Sequence, residues 1–285
     1  MSRSIQRRLR RLTVTVVVLA ALSALAGCAS DKAAPAADSS VGVTGGDFHS
    51  LVADPFVAGR LYVGGHTNVA RSDDGGKTWT KVSVLDGADA MGWAIQPDGM
   101  WVSGHPGLNV SVDGGVTFAR RNAGLPDTDV HAFGASGGTL YAAGPSIGLA
   151  TSTDVGESWT TVTSGAGQAF FGRILVDAAD PSHLIAADVQ KGVTASRDGG
   201  RTWTPLGTDP SSWVSSADGL DTIYASGGPT SQRSRDGGAT WEAIDVPDGT
   251  TLVEAATGIL YAGVHDGHAV AVWTSSDDGA TWARP

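Results

Sequence analysis

Five of the seven histidines fall at recurring places along the chain. His49 and His131 sit at the head of short apolar segments, and His66, His105 and His265 follow directly on a second kind of apolar segment. Imidazoles gathered with a carboxylate can bind a transition metal, or can donate and accept hydrogen bonds to a sugar or a peptide. Both readings stay open on these residues, beside the plainer one that histidines tolerate polar, half-wet loops. Arg173 and Asp188 occupy comparable slots elsewhere in the pattern, so the candidate ligand-binding set is His49, His66, His105, His131, Arg173, Asp188 and His265. Asp86, Asp89, Asp127 and Asp129 lie in loops of the same class, and a pair of such carboxylates is what glycoside hydrolysis would require. These residue types fix neither a cofactor nor a metal, and no complete catalytic set appears among them.

The elements that must position these side chains come from a repeat. The pattern S-x-D-x-G-x-T-W occurs six times, beginning at Ser72, Ser111, Ser152, Ser196, Ser234 and Ser275, with Phe118 in place of Trp and Ser158 in place of Thr. The closing aromatics are 39, 41, 44, 38 and 41 residues apart, a period that suits one four-stranded propeller blade per repeat. Each copy is preceded by a short apolar segment such as Leu61-Tyr62-Val63-Gly64-Gly65 or Leu140-Tyr141-Ala142-Ala143-Gly144, read as a strand with period-two alternation. A further apolar strand lies upstream of each, so a unit reads as strands A, B and C, the S-x-D turn, and strand D. In this topology the D-to-A and B-to-C loops emerge on one face and the S-x-D turns on the other. The histidines should therefore share a rim opposite the repeated turns, where ligands of such folds usually sit.

The repeated Ser and Asp are suited to hydrogen-bonding nearby backbone, and the Gly at the fifth position to a positive φ. Asp74, Asp113, Asp154, Asp198, Asp236 and Asp277 are accordingly structural, because six equivalent copies cannot all be one active site. The predicted fold is all-β: a six-bladed β-propeller of four-stranded antiparallel blades over 47–285. Trp93 and Trp213 open A strands, where an indole either packs in the core or stacks on a sugar ring. Strand D after Trp282 is short, and Val41 to Thr44 is placed to pair near it.

The repeated box resembles that of Asp-box, or BNR-repeat, propellers, a group that includes sialidases, sortilin-type receptors and photosystem II assembly factors. The segments Met91-Gly92-Trp93, Ser103-Gly104-His105-Pro106 and Asp129-Val130-His131-Ala132 are similar to those of bacterial exported proteins named glycosyl hydrolase-like. The sialidase resemblance implies three arginines clamping a carboxylate and a Tyr nucleophile. Here Tyr62, Tyr141, Tyr224 and Tyr261 all take the same strand-B slot, as packing residues do. Arg71, Arg197, Arg201 and Arg235 sit beside or inside the boxes, and Phe171-Gly172-Arg173-Ile174-Leu175 matches the sialidase Arg-Ile-Pro segment only loosely. Gly144-Pro145-Ser146-Ile147-Gly148 fits the G-x-S-x-G pattern without its strand-to-helix context, and the Asp-Gly runs lack the closing Glu of a calcium loop.

The N-terminal region reads separately. Residues 1–27 carry five arginines and no acid, then an apolar run ending in Leu25-Ala26-Gly27-Cys28, a signal peptide with a segment that resembles the bacterial lipobox. Cys28 is the only cysteine, which fits lipidation and excludes an internal disulfide. Residues 28–46, rich in Ala, Ser, Asp, Pro and Gly, read as a flexible tether. Without 1–27 the chain holds fourteen basic against twenty-nine acidic residues, a charge of −15 that argues against nucleic acid as a partner. The expectation is a monomer held by lipid on the outer side of the cell membrane, binding a protein, peptide or glycan. A glycoside hydrolase working through rim carboxylates is the alternative.

Overall fold

The computed structural model describes residues 40–42, 47–163 and 165–285. The segment 1–27 read as a signal peptide, Cys28 and most of the segment read as a tether lie outside the described residues. The described residues form an all-β structure with one short 3₁₀ turn at Ser83–Leu85 and no α-helix. They make five sheets, four of four strands and one of eight.

The first sheet sets the pattern. Phe48–Ala53 pairs with Leu61–Gly65, that strand with Val69–Ser72, and the last with the two-residue strand Thr80–Lys81, all antiparallel and consecutive. The second sheet repeats this order from Gly92–Gln96 to Ala119–Arg120. In the eight-stranded sheet two such meanders, starting at Ala132–Ser136 and Phe170–Val176, are joined by a short parallel pairing of Ala132 with Gly172 and Phe133 with Arg173. The meander that starts at Thr250–Ala256 ends differently. Its third strand, Ala269–Ser275, takes Ser40–Gly42 as outer neighbour, with Val41 opposite Val270, and a bridge from Thr274 to Ala283 continues that edge. A part of the stretch read as tether is thus a strand, at the place suggested for Val41 to Thr44.

Neighbouring meanders touch through their first strands. Ser50 Oγ donates to the Ala90 carbonyl, Ser215 Oγ to the Val253 carbonyl, and Ala53 N–H to Glu254 Oε1. The last of these joins the first meander to the final one. The second strands differ from the alternation read in the sequence: Leu61–Gly65, Leu184–Asp188 and Ile223–Ser226 are buried at every residue. A strand covered by a sheet on each face excludes water on both sides, so its apolar residues form a run. The four tyrosines lie there, each at most 5% exposed, with Tyr62 stacked 5.2 Å from Trp93. Burial raises the hydroxyl pKa of all four, that of Tyr224 to about 12, which suits packing and not nucleophilic attack.

All six repeated turns share one geometry. In the first, Ser72 Oγ donates to Asp74 Oδ1 at 2.8 Å and accepts from Gly76 N–H, while Thr78 donates its amide to Oδ1 and its hydroxyl to Oδ2 of Asp74. The glycine at the fifth position has φ between +84° and +95° in every copy. The Asp carboxyls are held down at about 2, chiefly by the hydrogen bond from the Thr or Ser hydroxyl four residues on. Ser216 to Thr222 forms a further turn of this kind that the sequence pattern did not single out. Ser216 Oγ donates to Asp218 Oδ1 and Thr222 N–H bonds the same oxygen, with Leu220 at φ +84° in the glycine slot.

Candidate functional site

Four of the seven predicted ligand residues come together. His49 enters on the first strand of its meander, and His66 and His105 come from the turns after the second strands of the first and second meanders. His131 precedes Ala132–Ser136. They gather around two carboxylates. His49 Nδ1 lies 2.5 Å from Asp89 Oδ1, and His66 and His105 Nδ1 approach Asp89 Oδ2 at 3.2 and 3.5 Å. His105 Nε2 contacts Asp129 Oδ1, which lies 2.7 Å from His131 Nε2. Phe171 fills the space between, its ring 5.7 Å from that of His49 and 5.8 Å from that of His131.

Asp89 is the centre of this arrangement. Its side chain is 3% exposed, whereas those of His66 and His105 are half open to solvent. Asp89 Oδ2 accepts no hydrogen bond, since the two imidazole nitrogens near it lack the required alignment. Two glycines allow the carboxylates to take these positions. A Cβ on Gly104 would stand 1.5 Å from the Asp89 carbonyl oxygen, and one on Gly144 would stand 2.0 Å from that of Asp129. The loops that present Asp89 and Asp129 therefore press directly on the ends of the second strands.

Three predicted residues stand elsewhere. His265 lies within a longer second strand, Ile259–His265, and faces Phe48 at 6.1 Å, because strand pairing with Val270 continues where the other units turn. Asp188 turns back on its own loop, its carboxylate accepting the amides of Gln190 and Lys191, so its lone pairs are used locally. Arg173 sits at a register shift between Phe171 and Ile174 and reaches across to Glu254, Nη1 to Oε1 at 2.8 Å. Glu254 is buried and also accepts from Trp213 Nε1 and the Ala53 amide. Burial pushes its carboxyl upward, against the pull of the Arg173 charge and of these donors. This pair borders a cavity of about 310 Å³ that is also lined by Asp54, Phe56 and Tyr261, apart from the histidines.

Of the other rim carboxylates, Asp86 pairs with Lys81 at 2.9 Å and Asp127 accepts the Asp129 amide. Trp93 and Trp213 are fully buried, the first donating its indole N–H to Ser50 Oγ, so neither offers a face to a ligand. Sequence reasoning missed Glu254, and it named Asp89 without seeing its central place. The signal for Asp89 was only its position, three residues before a first strand, which Asp129 shares.

A BNR/Asp-box repeat model matches residues 70–81, the first of the six turns described above. That match covers twelve residues of the chain. No curated protein matches its sequence. Among solved structures it is similar to the GH74 xyloglucanase from Xanthomonas campestris, with TM-score 0.59 and 18% identity over 86% of this chain and 46% of that one. A GH74 enzyme from Niastella koreensis aligns with TM-score 0.53 and 19% identity over 82% of this chain and 37% of that one. YCF48 from Cyanidioschyzon merolae gives TM-score 0.51 and 17% identity, covering 84% of each chain. The chain thus spans about half or less of the two GH74 enzymes and most of YCF48. At these identities the likeness establishes a shared β-propeller fold.

Proposed function

We propose that the chain is an exported, lipid-anchored propeller that acts as a monomeric binding or assembly module through the histidine rim. In this reading residues 1–27 direct export, Cys28 carries the lipid, and the segment up to about residue 39 is the tether. The six Asp-box repeats are six four-stranded blades. The eight-stranded sheet is two of these blades joined by parallel pairing, and Ser40–Gly42 completes the last. Two or three acyl chains, each CH₂ contributing about 0.8 kcal/mol, suffice for anchoring without any spanning helix.

The observation that carries the binding reading is the convergence of His49, His66, His105 and His131, from three successive repeats, on Asp89 and Asp129. Such a half-open set of donors and acceptors beside the Phe171 ring suits a polar ligand with an apolar face, a glycan or a peptide. A second reading, glycoside hydrolysis, is favoured by the way His105 touches both carboxylates. Fold likeness to glycan-cleaving enzymes does not choose between the two.

The two are separated by a screen of the purified chain against chromogenic glycosides, run beside crosslinking to membrane-associated proteins and glycan fragments. Crosslinking lost in His131→Ala, with no glycoside turned over, supports a binding module. Turnover abolished by Asp129→Asn overturns it in favour of a hydrolase. Cell fractionation tests the anchor: Cys28→Ser should move the protein from the membrane to the soluble fraction, and an unchanged distribution would refute lipidation.

A further inference from the structure

We infer that the histidine rim is a binding site for divalent late first-row transition-metal ions, with zinc(II) or copper(II) the best matched. The inference rests on reading this rim as the ligand face, but it can fail while that reading stands. Among the described residues two triads have their ligand atoms within 4.8 Å of one another: Asp47, His49 and His66, and His105, Asp129 and His131. Each supplies two imidazoles and one carboxylate, a donor set that suits zinc and copper and is too rich in nitrogen for calcium or magnesium. Three protein ligands also leave a coordination position open, and the half exposure of His66 and His105 gives an ion a path inward from solvent.

A network of hydrogen bonds between histidine and carboxylate accounts for part of this cluster. It explains Asp89 Oδ1 on His49 and Asp129 on His131. It does not explain Asp89 Oδ2, an oxygen of a buried side chain that faces two imidazole nitrogens at 3.2 and 3.5 Å and bonds to neither. A buried anionic oxygen without a donor is costly, and a cation held between it and the nitrogens removes the cost. The separations about this oxygen also match the geometry of coordination. Ligands about 2.0–2.1 Å from a common tetrahedral ion stand about 3.3–3.4 Å from each other, close to the 3.2 and 3.5 Å from Asp89 Oδ2 to His66 and His105, whereas the 2.5 and 2.7 Å contacts of His49 and His131 are those of hydrogen bonds that an ion would have to open. Asp89 lies between the triads, in contact with His49 and His66 of one and His105 of the other, which makes it the carboxylate they share.

The test uses the full chain, purified in detergent, stripped with chelator and titrated with zinc(II) and copper(II) by calorimetry, with bound metal counted by mass spectrometry. One or two equivalents bound with Kd tighter than about 10 µM are expected. Asp89→Asn should weaken binding by at least about 10-fold, and the His66→Ala/His105→Ala double variant should abolish it. His183→Ala, in a loop between a first and a second strand where its imidazole pairs with Asp177 beside a box turn, should leave binding unchanged. Cobalt(II) added to the unmodified chain should give the visible absorption of a four-coordinate nitrogen and oxygen site, a measurement that needs no variant to fold. Less than half an equivalent bound, affinity untouched in the double variant, or a cobalt spectrum like that of the aqueous ion would each overturn the site. If crosslinking still depends on His131 in that case, the ligand face survives without the metal.

Discussion

Gly144→Ala tests how the fold holds the site. The added Cβ would lie 2.0 Å from the Asp129 carbonyl oxygen and 3.5 Å from Ile147 Cδ1, whereas real Cβ atoms essentially never come within 3.0 Å of such an atom. Backbone must therefore move by about 1 Å, and the atom that has to yield belongs to the loop carrying Asp129. Overpacking of this kind costs about 1–3 kcal/mol. For a domain of this size each kcal/mol lowers Tm by about 2–4 °C, so a fall of about 2–12 °C is expected. Because Asp129 is displaced, its 2.7 Å contact with His131 Nε2 should also be lost. Calorimetry reads the first effect, and the proton NMR signals of the His105 and His131 rings read the second. Gly165→Ala is the control, since its Cβ meets only Thr163 Oγ1 at 3.8 Å, and it should stay within about 0.5 kcal/mol. An unchanged Tm and unshifted ring signals in Gly144→Ala would refute the claim that backbone contact at this glycine positions the carboxylate.

Glu254→Ala leaves Arg173, Trp213 Nε1 and the Ala53 amide without their common acceptor, and should cost about 3–5 kcal/mol in urea unfolding, nearer the lower figure because Arg173 keeps some solvent. Glu254→Gln, which retains one acceptor oxygen, should cost less. Acid unfolding should follow the box carboxyls. Their folded pKa of about 2 lies below the unfolded value of about 3.9, so the stability they contribute is present above that value and lost as pH falls through about 2. Replacing Asp74 and Asp198 by Asn should flatten the decline between these limits, as read by fluorescence. Val155 holds φ +59° in a box slot that is glycine in four other copies, a conformation a β-branched side chain resists. Val155→Asn should raise Tm by about 2–4 °C, and a lower Tm would show that the valine makes a contact worth more than its strain.

The sequence alone was enough for the units and their staples. Spacing of the box aromatics set the repeat length, and Ser, Asp, Gly and Thr at fixed offsets specified a turn whose bonds are all local, within four residues of each other. Local geometry of that kind is written in local sequence. The degenerate turn at Ser216 escaped because Leu220 replaces the glycine that marks the others, although the Ser and Asp bonds survive.

Which histidines meet was decided by tertiary structure. Position within a repeat treated His49, His66, His105, His131, Arg173, Asp188 and His265 alike, yet only the four from the first three repeats converge. Asp188 is claimed by its own turn, Arg173 by Glu254 eighty-one residues away, and His265 by a strand that runs on past the point where others turn. These outcomes depend on loop lengths, register shifts and cross-sheet partners, and a side chain's direction is set by the backbone that carries it. The central place of Asp89 has the same origin: its histidine neighbours come from two different repeats, and their distances exist only once the sheets have packed.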